Sequence, residues 1–215
     1  MATEFDSDLI ARELNAGLAR LELVLPAAAP AQLLAFIREL TRWNKAYNLT
    51  AVRDPGEMVP RHILDSLSAL RFIRGNRVLD AGCGAGLPGF PLAIALPETQ
   101  FVLLDSNSKK QRFVEHVCRT LKLSNVEPVH ARVEEYQCAL FDTIICRALT
   151  SLAEFVAGTE HLLAPNGQAI AMKGRFPEAE ISALPVNWMV TDTHRVAVPG
   201  LDGERHIIRL EKSQT

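Results

Sequence analysis

The residues of this sequence best suited to hold a ligand lie in Arg77-Val-Leu-Asp-Ala-Gly-Cys-Gly-Ala-Gly-Leu-Pro-Gly89. A short apolar run closes on Asp80. Gly82, Gly84, Gly86 and Gly89 then alternate with small or apolar partners, ahead of a helical pattern from Phe90 to Leu96. A buried strand, a tight glycine turn and a helix start in that order let a ligand approach bare backbone N–H groups. A second acid, Asp105, ends the next apolar run, Val102-Leu-Leu-Asp. In an open α/β sheet ligands sit beyond the carboxyl ends of the strands. An acid on a neighbouring strand tip there accepts both hydroxyls of a ribose, so the ligand expected is a nucleoside derivative.

Gly84-Ala-Gly-Leu-Pro-Gly89 formally matches the G-x-G-x-x-G fingerprint of dinucleotide sites. Its register is poor, because the strand closes on Asp80 and Gly82 is the first glycine, giving D-x-G-x-G-x-G instead. That form suits S-adenosylmethionine, whose amino-acid end takes the place of phosphates. Asp80 would hold its ammonium, and the loop amides its carboxylate. A dinucleotide site and a purely structural glycine turn are the competing readings.

These residues need a scaffold. From Arg77 the chain alternates apolar runs (Val78–Ala81, Phe101–Asp105, Val126–His130, Phe141–Cys146, Ala169–Lys173) with helical patterns (Phe90–Leu96, Lys109–Leu123, Leu152–Leu163). Two further strands, Trp188–Val198 and His206–Glu211, flank the turn-rich Pro199-Gly-Leu-Asp-Gly203. Such alternation predicts a Rossmann-like α/β fold with a mainly parallel seven-stranded sheet and helices on both faces. Ahead of it three helices are predicted. One covers residues 4–24 (Leu9, Ile10, Leu14, Leu18, Leu21), and a second carries Leu33, Phe36, Ile37, Leu40, Trp43 and Tyr47 on one stripe, stopping near Asn48. The third runs from Met58 to Ile73 with Ile63, Leu67 and Leu70 inward and a fault at Pro60. The division expected is residues 1–74, an N-terminal helical extension, and residues 75–215, the ligand-binding domain.

Composition narrows the setting. With 215 residues, 48% hydrophobic and 22% charged, the chain suits a globular protein with a sizeable core. No apolar run approaches the ~20 residues that cross a bilayer, and the acidic Met1–Asp8 does not have the layout of a signal peptide, so a cytoplasmic protein is expected. Cys83, Cys118, Cys138 and Cys146 lack C-x-x-C spacing, and free thiols without a metal are expected. His62 and Asp65 read as a hydrogen-bonded surface pair at i, i+3. The net charge of −2 gives no global attraction to nucleic acid. Between Arg38 and Arg77, however, eight basic residues face four acids, enough to steer a phosphate backbone locally. A solvated helical face is the alternative.

What is missing also informs. Enzymes that methylate exocyclic amines of adenine or cytosine commonly carry an Asn/Asp-Pro-Pro-aromatic segment after the fourth strand, where this chain has Ile145-Cys-Arg-Ala-Leu149. No Pro-Cys nucleophile for attack on a pyrimidine is present. A ring nitrogen whose lone pair is free in the neutral base needs neither device.

Trp43-Asn-Lys-Ala-Tyr-Asn-Leu-Thr50, Arg61-His-Ile-Leu-Asp-Ser66, Gly82-Cys-Gly-Ala-Gly-Leu-Pro-Gly89, Leu103-Leu-Asp-Ser106, Arg132-Val-Glu-Glu135, Arg147-Ala148 and Leu201-Asp-Gly-Glu-Arg-His206, in that order over nearly the whole chain, closely resemble the bacterial glucose-inhibited division protein B family (RsmG). The resemblance implies a class I methyltransferase that uses S-adenosylmethionine, and a monomer is expected. It would release S-adenosylhomocysteine and methylate N7 of a guanine in 16S rRNA of the small ribosomal subunit. By position it places donor contacts on Gly82 and Leu87, on Val133 and Glu134, and on Arg147, beside Asp80, Gly84, Gly86, Asp105 and Ser106. Glu134 could instead support a helix N-terminus, Arg147 form an ion pair, and Asp105 cap the helix starting near Ser108. Arg147, and secondarily Lys173, are the candidates for orienting the acceptor base. Arg42, Lys45, Arg53 and Arg61 are the candidate phosphate contacts, with Asn44 and Asn48 ordering the turn between helices. Trp43 and Tyr47 fit the core stripe better than a base-stacking role. A methyltransferase for a small molecule or protein, and a nucleotide-sensing module without catalysis, are the alternatives.

Overall fold

The computed structural model describes residues 5–147 and 150–213. The start of the acidic N-terminus and Ala148 of the Arg147-Ala148 motif lie outside the described residues. Helix α1 (Ser7–Arg20) starts where the Asp6 carboxylate accepts from the N–H groups of Asp8 and Leu9, satisfying donors that a helix start leaves bare. Helix α2 (Ala29–Tyr47) buries Leu33, Phe36, Ile37 and Leu40 and stops at Asn48, whose φ of 50° is left-handed. The third predicted helix is broken up. It consists of α3 (Pro55–Met58), a π-helical turn (Val59–Leu64), α4 (Asp65–Leu67) and a 3₁₀ turn (Leu70–Phe72). Pro60 has no N–H for the α-helical ladder, and the chain widens into a π turn there. Ile63 and Leu67 are buried as expected, whereas Leu70 is only half-buried.

Seven strands follow: β1 (Arg77–Ala81), β2 (Gln100–Asp105), β3 (Val126–His130), β4 (Phe141–Arg147), β5 (Leu163–Lys173), β6 (Trp188–Arg195) and β7 (His206–Lys212). Their order in one sheet is β3-β2-β1-β4-β5-β7-β6. The first five are parallel, but β7 runs antiparallel to both β5 and β6, so the sheet is mixed. The loop 196–205 is too short for a helical crossover, and a hairpin must be antiparallel. Helices α5 (Gly89–Ala95), α6 (Ser108–Leu121) and α7 (Leu152–Thr159) connect the parallel strands, and a short α8 (Glu178–Ser182), unpredicted from sequence, follows β5.

The sheet separates two apolar clusters. Leu79, Val102, Ile144, Phe155 and Trp188 belong to the α7 side. On the other side α1 and α2 bury their stripes together with α5 and α6 in one continuous cluster. Phe36 lies 5.2 Å from Phe90 and 6.3 Å from Phe113, ring centre to ring centre. Each fully buried phenyl ring contributes about 1.5–3 kcal/mol relative to exposure, so the N-terminal helices are held firmly against the sheet. Neighbours of β1 lie on both sides, β2 on one and β4 on the other, which makes its carboxyl end the point where strand order reverses.

Candidate active site

Two clefts open at the carboxyl edge of the parallel strands. The first, about 390 Å³, is lined by Gly82, Asp105, Ser106, Val133 and Glu134 from the sequence-derived set, with Phe155 and Gly158 of α7 opposite. Asp105 is 8% exposed. Its Oδ2 accepts from Gly84 N at 2.8 Å and its Oδ1 from Asn107 N at 2.8 Å. These two bonds fix the carboxylate at the tip of β2 and leave lone pairs on both oxygens. The capping alternative for Asp105 is overturned, because Asn107 accepts from Lys109 N and Lys110 N and caps α6. Glu134 does not cap α7, whose N-terminus carries the Ser151–Glu154 capping box, but it does lie in the first turn of a short 3₁₀ helix (Val133–Glu135). It faces Gly158, where an added Cβ would lie 3.7 Å from Glu134 Oε1. A bulkier residue at 158 would narrow the cleft.

The glycine loop departs from the expectation of bare amides. Gly82 N and Cys83 N donate to Leu104 O, Gly84 N to Asp105, Gly86 N and Leu87 N to Cys83 O, and Gly89 N to Asp80 Oδ2 at 2.7 Å. Those six N–H groups close the turn on itself and are not free for a ligand. The glycines serve conformation and close packing: Gly86 has φ 77°, and a Cβ there would overlap the Phe90 ring. Leu87 is buried in the core. Asp80 is fully buried, with Oδ1 lacking any partner. Burial raises its pKa to about 7, against the lowering effect of the Gly89 N–H. A cleft with a fixed carboxylate at one strand tip and apolar walls from Val133 and Phe155 fits a nucleoside, as S-adenosylmethionine is, while Asp80 is buried behind the loop and does not line it.

The second cleft, about 480 Å³, is lined among others by Arg61, His62, Asp65, Arg147, Lys173 and Arg205. Arg147 therefore faces this cleft and does not line the first. Its Nη1 donates to Asp65 Oδ2 at 2.9 Å and to Arg61 O at 3.1 Å. Arg205 Nε donates to Asp65 Oδ1 at 3.0 Å. Lys173 Nζ donates to Glu180 Oε2 and to Thr150 O, both at 2.8 Å. Thr150 lines the first cleft, so the two clefts are one hydrogen bond apart. The surface pairing expected of His62 and Asp65 is corrected: both are buried, and each turns to another partner. His62 Nε2 lies 2.9 Å from Thr50 Oγ1. Burial, and then the Arg147 charge, lower its pKa to about 4, so the ring is neutral.

Around the clefts, Asn44 and Asn48 order the turn as predicted. Asn44 Oδ1 accepts from Thr50 N and its Nδ2 donates to Val52 O. Trp43 is half-buried and 5.6 Å from Phe113, in line with a core role, whereas Tyr47, stacked on it at 5.2 Å, is 47% exposed at the last turn of α2 and lies outside the core stripe. Of the four candidate phosphate contacts only Arg61 reaches a cleft. Arg42 is paired with Glu39 at 2.8 Å and Arg61 with Glu57 at 3.7 Å. Lys45 and Arg53 are exposed and have no ion-pair partner among the described residues. The four cysteines are free, and burial pushes the Cys83, Cys118 and Cys146 thiols upward, away from nucleophilic use. Among the described residues no group of three His, Cys, Asp or Glu side chains is placed to hold a metal ion. Asn107, Gly158, Glu180 and Arg205 were not singled out from sequence. Asp65 and Arg205 lie inside quoted motifs, but nothing local marks them as partners 140 positions apart.

The model of the family described as GidB, rRNA small subunit methyltransferase G, matches residues 29–208. A Pseudomonas syringae pv. syringae protein named ribosomal RNA small subunit methyltransferase G is 48% identical over 94% of this chain and 95% of its own length. The protein of that name from Ectopseudomonas mendocina is 50% identical over 94% of this chain and 96% of its own. Among solved structures, TrmN from Thermus thermophilus aligns with a TM-score of 0.58 at 21% identity, covering 79% of this chain and 53% of that one. The mitomycin 7-O-methyltransferase MmcR aligns with a TM-score of 0.61 at 12% identity, covering 97% and 69%. At these identities the structural matches speak for the fold alone.

Proposed function

The chain belongs to the GidB family of rRNA small subunit methyltransferases G, and from that premise we propose that it methylates N7 of a guanine in 16S rRNA of the small ribosomal subunit. The observation that carries the mechanism is the adjacency of the two clefts, joined by the bond from Lys173 to Thr150 O. When bound, S-adenosylmethionine supplies a methyl carbon on a sulfonium, which the N7 lone pair displaces while the C–S electron pair stays on sulfur, giving S-adenosylhomocysteine.

The chain's own residues then have three tasks. Asp105 takes the ribose hydroxyls of the donor, with Ser106, Val133 and Glu134 along the same wall. Asp80, buried behind the loop, holds the glycine turn in place through Gly89 N. Arg147 and Lys173 orient the base in the second cleft. Neither is a general base, because guanine N7 has no proton to lose. Neutral His62 adds no cation against the positive charge that arrives on the purine. Acceleration comes mainly from holding N7 and the methyl carbon close and collinear.

The acceptor guanine must leave its stack to enter such a cleft. Residues 1–74, the helical extension, form the substrate side in this reading, with Arg42, Lys45, Arg53 and Arg61 along the RNA backbone. Residues 75–215 form the donor side. In this reading the protein acts as a monomer on cytoplasmic ribosomal subunits; no helix among the described residues is long and apolar enough to cross a membrane. Small subunits from a strain lacking this protein, incubated with it and methyl-labelled donor, should yield labelled N7-methylguanosine from 16S rRNA. Label absent from rRNA would overturn the proposal.

A further inference from the structure

Asp65 follows the π turn that Pro60 imposes, and its side chain is 8% exposed. One oxygen holds Arg147 at 2.9 Å and the other holds Arg205 at 3.0 Å. The two arginines come from different elements at the same edge of the sheet, Arg147 from the end of β4 and Arg205 from the loop before β7. A guanidinium has five N–H donors in a rigid fork. Arg147 spends Nη1 on Asp65 and Arg61 O, and Arg205 spends Nε on Asp65 and Nη1 on Glu204 O. Among the described residues, Nε and Nη2 of Arg147 and Nη2 of Arg205 have no acceptor, and both side chains line the second cleft.

The edge of guanine beside N7 carries O6, an acceptor, whereas adenine carries an N6 amine, a donor, at that place. Unspent N–H groups therefore favour guanine over adenine. The usual arginine grip on guanine takes O6 and N7 together, but here N7 must stay open for the methyl carbon. A guanidinium already tethered by a carboxylate is held back from N7 and can still reach O6. The shared carboxylate also cancels one of two positive charges in a cleft where the purine becomes cationic, as Glu180 does for Lys173.

Resting on the guanine-N7 reading above, we propose that Arg205 is, with Arg147, a specificity-determining donor to O6 of the target guanine, and that Asp65 is the positioning residue that aims both.

The binding comparison needs no donor. An rRNA fragment bearing the target guanine is compared with one carrying 2-aminopurine, which lacks O6 and with it the N1 proton, at that position. The parent protein should bind the guanine fragment about tenfold or more tightly, the scale of a hydrogen bond to a charged group. Arg205→Ala should bind the two fragments equally, and Arg205→Lys should recover only part of the preference because an ammonium lacks the fork. Asp65→Asn should lose the preference and lower kcat, with affinity for S-adenosylmethionine unchanged. Should Asp65→Asn fail to fold, Arg205→Ala, whose side chain is about one-third exposed, carries the test alone. A folded Arg205→Ala with full guanine preference overturns the proposal, as does a parent protein that binds both fragments equally. If that parent still labels N7 in small subunits, only this inference falls; if no rRNA is labelled, the N7 reading falls with it.

Discussion

Oδ2 of Asp65 lies 2.9 Å from Nη1 of Arg147, although 82 positions separate the two residues. The side chains are 8% and 17% exposed, so this ion pair is shielded from solvent screening and its loss is felt by the fold. Arg205 on the other oxygen limits the damage. Arg147→Ala should cost roughly 1–3 kcal/mol of stability and reduce rRNA methylation at least tenfold. Denaturant melts alongside labelled-donor turnover check both, and a folded variant with full turnover would remove Arg147 from the site.

Asp105 fixes the donor-side cleft through Gly84 N and Asn107 N while keeping lone pairs for a ligand. Asp105→Ala should weaken S-adenosylmethionine binding by roughly 1.5–3 kcal/mol, the scale of hydrogen bonds to a charged group. Calorimetry that returned the parent affinity would refute the ribose role.

Asp80 gives a pH signature. Its folded pKa is raised to about 7 by burial, from 3.8. The folded state then binds a proton that the unfolded chain has released, so stability is lost as pH rises from about 4 to 7. His62, lowered to about 4 from 6.5, acts oppositely, with stability lost as pH falls from about 6.5 to 4. The two slopes mask one another in the parent protein. Asp80→Asn removes one of them. The variant should be more stable than the parent at pH 8, by about 4 kcal/mol at most, with the gap closing toward pH 4. A gap that does not change with pH would show that Asp80 ionises normally.

The surface cations divide by their partners. Lys45 and Arg53 are exposed and have no ion-pair partner among the described residues, whereas Glu39 already compensates Arg42 at 2.8 Å. Alanine at Lys45 or Arg53 should lower the slope of log affinity against log salt by about one for each phosphate that is no longer neutralised, and Arg42→Ala should change it less. Filter binding of 16S rRNA fragments over a salt series measures this, and equal slopes throughout would place the RNA elsewhere.

How much of this is legible in the sequence depends on how local each cause is. Strand and helix positions follow hydrophobic periodicity, and the strand–turn–helix at Asp80–Gly89 follows from residue types that act on their own few neighbours. Asp105 at a strand tip is readable for the same reason. The π turn is foreshadowed only as a fault at Pro60, because sequence shows where a ladder must break and not how the chain repairs it. The loop amides look bare in the sequence and are not: Gly82, Cys83 and Gly84 find their acceptors, Leu104 O and Asp105, on the next strand, and Gly86, Leu87 and Gly89 find theirs within the turn and β1.

The sequence by itself determined most strand and helix positions, the glycine loop, the acid at Asp105 and, through its ordered motifs, the family. Tertiary structure alone decided that Arg147 faces the second cleft, that Asp65 and His62 are buried apart from each other, and that Arg205 belongs to the site. The physical reason is range. Backbone preferences and amphipathic periodicity act within a few residues, whereas a buried charge takes whichever opposite charge the folded topology brings within about 3 Å, and that choice spans 82 positions for Arg147 and 140 for Arg205.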